Sequence, residues 1–147
     1  MSINHWIVKN LVCTLFLVVG GLNIYAQKDK YLIEAEAFQF KGKWSTDRSA
    51  DCMGSAMLRL NGGGSLDEQF DALTVVNIME EGDYNVWVRS ADYDKLPGTR
   101  LFRLSVDEKP MKESGKHGKV GFYWENAGCV QLAKKQVLLR LHDTKRN

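Results

Sequence analysis

The chain has 147 residues, 44% of them hydrophobic and 26% charged, with a formal net charge of +2. That length gives one domain with mass enough for a core, and so small a net charge excludes an electrostatic case for nucleic acid or an anionic membrane. Three cysteines, with no CxxC pair and no histidine cluster beside them, argue against a zinc site.

Met1 to Ala26 has a head with a single charge, Lys9, then an apolar run from Leu11 to Val19, then Ile24-Tyr25-Ala26 ahead of Gln27. This layout predicts a secretory signal peptide over 1–26, cleaved near Ala26, and a secreted or periplasmic protein. The apolar run is short for a membrane span, and Cys13 inside it is not placed for lipid attachment. Removal of the leader takes away one lysine and no acid. The domain then runs from 27 to 147 and keeps Cys52 and Cys129. Outside the cytoplasm these are free to pair, but two unpaired thiols satisfy the sequence equally well.

Tyr31 to Phe38 alternates as a strand, with Ile33, Ala35 and Ala37 on one side and Leu32, Glu34, Glu36 and Phe38 on the other. Two carboxylates two residues apart on a strand point the same way, which costs energy unless a positive charge lies between them. Gly42 to Cys52 reads as a loop or short irregular strand carrying Trp44. Ser55 to Leu60 is a strand with Ala56, Leu58 and Leu60 on one face. Asn61-Gly62-Gly63-Gly64 is a loop, and no GK[ST] follows to make it a phosphate loop.

Leu73 to Ile78 is the next strand. Asp83 to Ser90 is the strand around which the chain is organised: Tyr84, Val86 and Val88 face a core, while Trp87 and Arg89 lie opposite. Ala91 to Thr99 is a loop with Tyr93 and Pro97-Gly98. Arg100 to Val106 places Phe102, Leu104 and Val106 inward, and Asp107 to Pro110 turns the chain. Lys112 to Lys119 reads as a polar loop with a solvated His117. Val120 to Leu132 is expected as two short strands broken at Ala127-Gly128. Gln136 to His142 closes the series, with Val137, Leu139 and Leu141 inward. About eight short strands between regular turns predict an all-β antiparallel sandwich or jelly roll.

No catalytic constellation is visible. His117 and His142 sit in no motif with a nucleophile, and the dipeptide His142-Asp143 is a weak signal. Glu34 and Glu36 lie too close together to flank a glycosidic bond and suit a shared hard cation, calcium above all. No GxGxxG follows a strand, so nothing in the chain predicts a flavin site.

Ile33-Glu34-Ala35-Glu36-Ala37, then Gly42-Lys43-Trp44, then Gly82 to Arg89, then Trp124 ahead of Gly128, together resemble the galactose-binding-like jelly rolls. The likeness is greatest to carbohydrate-binding modules of families six and thirty-five. It covers nearly the whole chain from Tyr31. The ending Leu141-His142-Asp143 also looks like an N-terminal accessory domain of secreted bacterial proteins described as FAD-dependent oxidoreductases or polysaccharide-degrading enzymes. The resemblance implies that Glu34 and Glu36 are ligands of a structural calcium. It also implies that a later strand, absent from this chain, completes the site, so the domain is expected to lack its last strand and to be a fragment.

Sugar-binding modules stack sugar faces on exposed rings. The candidates are Trp44, Trp87, Tyr93, Tyr123 and Trp124, with Arg89 beside Trp87; the loop rings Trp44 and Tyr93 are the ones expected to be exposed. Two functions follow. One is a non-catalytic glycan-binding domain with a polysaccharide or oligosaccharide partner. The other is a structural domain packed on a catalytic neighbour that binds no free sugar.

Overall fold

A computed structural model describes residues 3–9, 30–48, 56–60 and 70–144, the first of these by backbone alone. Among them are ten strands: β1 (Ile3–Lys9), β2 (Lys30–Glu34), β3 (Trp44–Arg48), β4 (Ala56–Leu60), β5 (Ala72–Asn77), β6 (Gly82–Asp92), β7 (Phe102–Val106), β8 (Lys109–Ser114), β9 (Gly121–Leu132) and β10 (Gln136–Asp143). A 3-10 turn covers Ala35–Ala37. All strand pairings are antiparallel. One sheet has the order β2-β1-β6-β9, a second β5-β10-β7-β8, and β3-β4 form a ribbon.

The alternation in the sequence explains the layers. Tyr84, Val86 and Val88 of β6, with Val130 and Leu132 of β9, face Phe102, Leu104 and Val106 of β7 and Val137, Leu139 and Leu141 of β10 across one core. Period-2 burial on both sheets, with polar residues between, makes this an antiparallel β-sandwich.

Four local expectations are corrected. The strand expected over Tyr31 to Phe38 stops at Glu34, and the 3-10 turn then buries Ala35 while leaving Ala37 exposed. Pairing with β1 ends at Glu34, so no ladder holds the next residues extended. Val120 to Leu132 is one strand rather than two. Val86 pairs with Gly128 and Trp87 with Asn126, so Ala127 is an extra residue in a β-bulge that bends the strand without ending it. Residues read as the end of a turn and the start of a polar loop form β8, whose Met111 and Ser114 are buried although its other positions are exposed.

Trp44 is the fourth correction. It opens β3 and is 4% exposed, part of the core rather than a loop ring. Gly42 accounts for this. Its φ of 52° and its approach to Phe70, where an added Cβ would lie 2.3 Å from the carbonyl oxygen, let the chain turn tightly beneath that segment. The Lys43 amide then donates to the Phe70 carbonyl at 3.1 Å, and Trp44 enters the interior. Burying roughly 200 Å² of indole contributes about 5 kcal/mol before entropy.

The expected signal peptide falls mostly outside the described residues; its Ile3–Lys9 is described, as β1. The loop 61–64 also lies outside them. Cys129 is exposed and unpaired, and Cys52 lies outside the described residues.

Candidate functional site at the loop end of β6

β6 carries its inward alternation two residues past the hydrophobic stretch, so Ser90 and Asp92 are buried where Tyr84, Val86 and Val88 are buried earlier. A buried carboxylate needs donors, and backbone amides of two loops supply them. Gly98 N–H donates to Asp92 Oδ1 at 3.2 Å and Gly118 N–H donates to Oδ2 at 2.8 Å. Asp92 thereby ties the loop after β6 to the loop before β9. Glu125 of β9 plays a similar part. Its Oε2 accepts from Ser90 Oγ at 2.8 Å and from Gly115 N–H at 2.9 Å.

His117 belongs to this framework and is not the solvated loop residue expected. Lys119 N–H donates to its Nδ1 at 3.1 Å, so that nitrogen is an acceptor; Nε2 carries the proton and donates to the Ser90 carbonyl at 3.0 Å. Gly115 is required by geometry: φ is +88° and an added Cβ would lie 2.0 Å from the Arg100 carbonyl oxygen.

This polar floor carries exposed rings. Tyr93 is 45% exposed, Tyr123 41% and Trp124 39%. Arg100 Nη2 donates to the Tyr93 hydroxyl at 2.9 Å, and its guanidinium lies 5.3 Å from that ring's centre. The Tyr123 ring has Lys119 Nζ 4.8 Å from its centre and the His117 ring 5.1 Å away. On the outer face of the sheet Arg89 pairs in register with Trp124, and its guanidinium is 5.1 Å from the Phe122 ring.

Of the residues expected from the sequence, Tyr93, Tyr123 and Trp124 are thus exposed at this end, Tyr123 paired with inward-facing Ser90 and Trp124 with Arg89 on the outer face. Trp87 and Arg89 are half-buried on the outer face of β6, and Trp44 is excluded as a platform by its burial. Arg100, His117 and Lys119 were not foreseen. His117 and Lys119 sit in a loop that reads as polar and solvated, while Arg100, expected to open a strand, lies in the turn before β7; the amide bonds to Asp92 and Glu125 tie these loops together beside the rings.

Glu34 ends β2 and Glu36 lies in the turn that follows. Both carboxylate oxygens of Glu36 are shielded and lack a hydrogen-bond partner among the described residues. Burial first, and the neighbouring Glu34 carboxylate as well, push its pKa above the ordinary carboxylate value. Orphaned oxygens of this kind fit a cation. Among the described residues no group of three or more His, Cys, Asp and Glu side chains converges on one point, so these side chains supply only part of the six to eight oxygens calcium takes.

Two further features lie away from this end. His142 pairs not with Asp143 but with buried Asp71, Nδ1 to Oδ1 at 2.7 Å, and Arg140 reaches Asp71 at 3.4 Å. Where β6 begins, a cleft of about 540 Å³ is lined by Glu81, Gly82, Asp107, Gln131, Leu132, Ala133 and Lys135, none of them aromatic. Comparison with protein-family models, with curated proteins and with solved structures finds no match to this chain.

Proposed function

We propose that this chain is a non-catalytic glycan-binding domain of an exported protein, built on a galactose-binding-like jelly roll. The observation that carries the reading is the set of exposed rings, Tyr93, Tyr123 and Trp124, at the end of β6 whose loops are tied down by the carboxylates of buried Asp92 and half-buried Glu125. A ring held on a rigid base stacks on the apolar face of a sugar with little ordering cost. Polar groups around it, Arg100 and Lys119 among them, are placed to orient hydroxyls. In this reading Glu34 and Glu36 hold a structural calcium away from the sugar.

A glycan array probed with the full chain tests it. Binding is expected, and Tyr123→Ala and Trp124→Ala are each expected to weaken it about tenfold while leaving the melting temperature nearly unchanged. A folded chain that binds nothing on the array would sink the proposal. That outcome favours the second reading, a structural domain packed on a larger oxidoreductase or glycan-degrading enzyme. Its supporting observation is the exposure of Val75 on the edge strand β5, of Phe40, which bridges to Leu73 of that strand, and of Met79 just beyond it.

A further inference from the structure

We infer that the glycan taken at the loop end of β6 is acidic, one bearing carboxylate or sulfate groups; this rests on the glycan-binding reading above. The inference comes from where the cations at this end are directed. Arg100 and Lys119 each lie against a tyrosine ring, and neither they nor Lys116 forms an ion pair with an acid among the described residues. Ion pairs among the described residues are found away from this end: Arg59 with Asp47, Arg103 with Glu113, Lys135 with Asp107, and Arg140 with Asp71 and Glu108.

The acids of this end form no ion pair with those cations. Asp92 is 1% exposed and spends both oxygens on backbone amides. Glu125 Oε2 is taken by Ser90 and Gly115. Asp94 is exposed and accepts from the amide of Lys95. A cation resting on an exposed ring is weakly held and moves readily to an anion. The pairs Tyr93–Arg100 and Tyr123–Lys119 therefore present what a charged sugar offers: a ring for the C–H face and a cation for the anionic group. The guanidinium fork also matches a carboxylate in two-point geometry. Neutral glycans would leave both cations without an anionic partner.

Affinity electrophoresis of the full chain through polygalacturonate, a sulfated galactan and a neutral galactan, at low and at physiological salt, tests the inference. One acidic polymer is expected to bind at least tenfold more tightly than the neutral one, less so as salt rises. Tighter retardation by polygalacturonate assigns the carboxylate, and by the sulfated polymer the sulfate. The double change Arg100→Gln with Lys119→Gln is expected to remove about tenfold of the acidic binding and, with it, the salt dependence of that binding. Equal binding of neutral and acidic polymers, indifferent to that double change, overturns the inference and leaves the glycan reading standing. Poly(U) RNA bound as tightly as the acidic polymers, with Tyr123→Ala without effect, also overturns it, since bare charge would then suffice. Retardation by no polysaccharide, together with an empty array, rejects both readings.

Discussion

The two ends of β6 reverse the chain with different chemistry. At the loop end, the backbone positions with positive φ are glycines: Gly98, Gly115, Gly118 and Gly121. The acids beneath them, buried Asp92 and half-buried Glu125, are bound to amides. At the other end, the two-residue turn between β7 and β8 places non-glycine residues at positive φ, Asp107 at 51° and Glu108 at 67°. Its acids are exposed, and Asp107 meets Lys135 at 2.6 Å across the cleft there. One end is built around carboxylates that accept from loop amides; at the other, backbone bonds such as Ile78 N–H to the Lys135 carbonyl, the Tyr31 and Tyr84 hydroxyls and surface charge hold the loops. Rings are exposed at the first end, and the cleft without rings lies at the second. This is why the first end is the one read as a binding site.

The contrast is broken most severely at Asp92. Asp92→Ala leaves the amides of Gly98 and Gly118 without their acceptor inside the fold, at a cost of about 3 kcal/mol, or about 10 °C in melting temperature. Tyr93 and Tyr123 should lose their glycan contribution with it, because the loops beside them part. The matching change at the other end, Lys135→Ala, removes an ion pair whose partners are half exposed and should cost less than about 1 kcal/mol. Thermal melts of the two variants decide; equal shifts would show that the buried carboxylate does not organise its end.

Much of the fold was legible because period-2 alternation survives in β6, β7 and β10, where the inward residues as far as Val88, Val106 and Leu141 are apolar and the outward ones mostly are not. The alternation fails where the inward residue is polar or the strand is an edge. β8 reads as a loop since Pro110 and four polar residues surround Met111, its one apolar position. Bulges also hide, because Ala127-Gly128 looks like a break until the partner strand is seen to continue past it. Trp44 misled for another reason. A ring between charged and glycine residues looks like a loop platform, and only the approach of Gly42 to Phe70 turns it inward. The site was half legible: rings can be counted in a sequence, while His117 and Lys119 acquire meaning from hydrogen bonds to residues 27 and 2 positions away.

Glu36 offers a smaller effect, on a third region that neither end shares. Its folded pKa lies above its ordinary value of 4.5. For an acid, the charged form is then the one the fold disfavours. The penalty is absent below pH 4.5 and grows as pH rises through the folded value. In EDTA, Glu36→Gln should therefore melt higher than the native chain at pH 7, and the difference should vanish by about pH 3.5. With calcium added at pH 7 the order should invert, since an ion bound only by the native state raises its melting temperature. If calcium moves neither protein, the cation assignment for Glu34 and Glu36 fails.

The smallest expected effect tests the far end directly. Glu108 holds φ at 67° between Val106 and Lys109, which pair across the two-residue turn. Both central positions of such a turn need positive φ, and an Asp-Gly sequence meets that need with little strain. Left-handed backbone costs a residue with a Cβ about 1 kcal/mol or more, and glycine gives back part of the gain through its freer unfolded chain. Glu108 loses only a 3.9 Å contact with Arg140, from a side chain 74% exposed. Glu108→Gly should thus stabilise by about 0.5 kcal/mol, or about 2 °C, and leave glycan binding at the opposite end untouched. The reverse experiment gives the contrast its sign: Gly115→Ala, which adds a Cβ against the Arg100 carbonyl, should destabilise and weaken binding together. A Glu108→Gly chain that melts lower than the native one would mean that the far turn depends on its glutamate for something other than backbone shape.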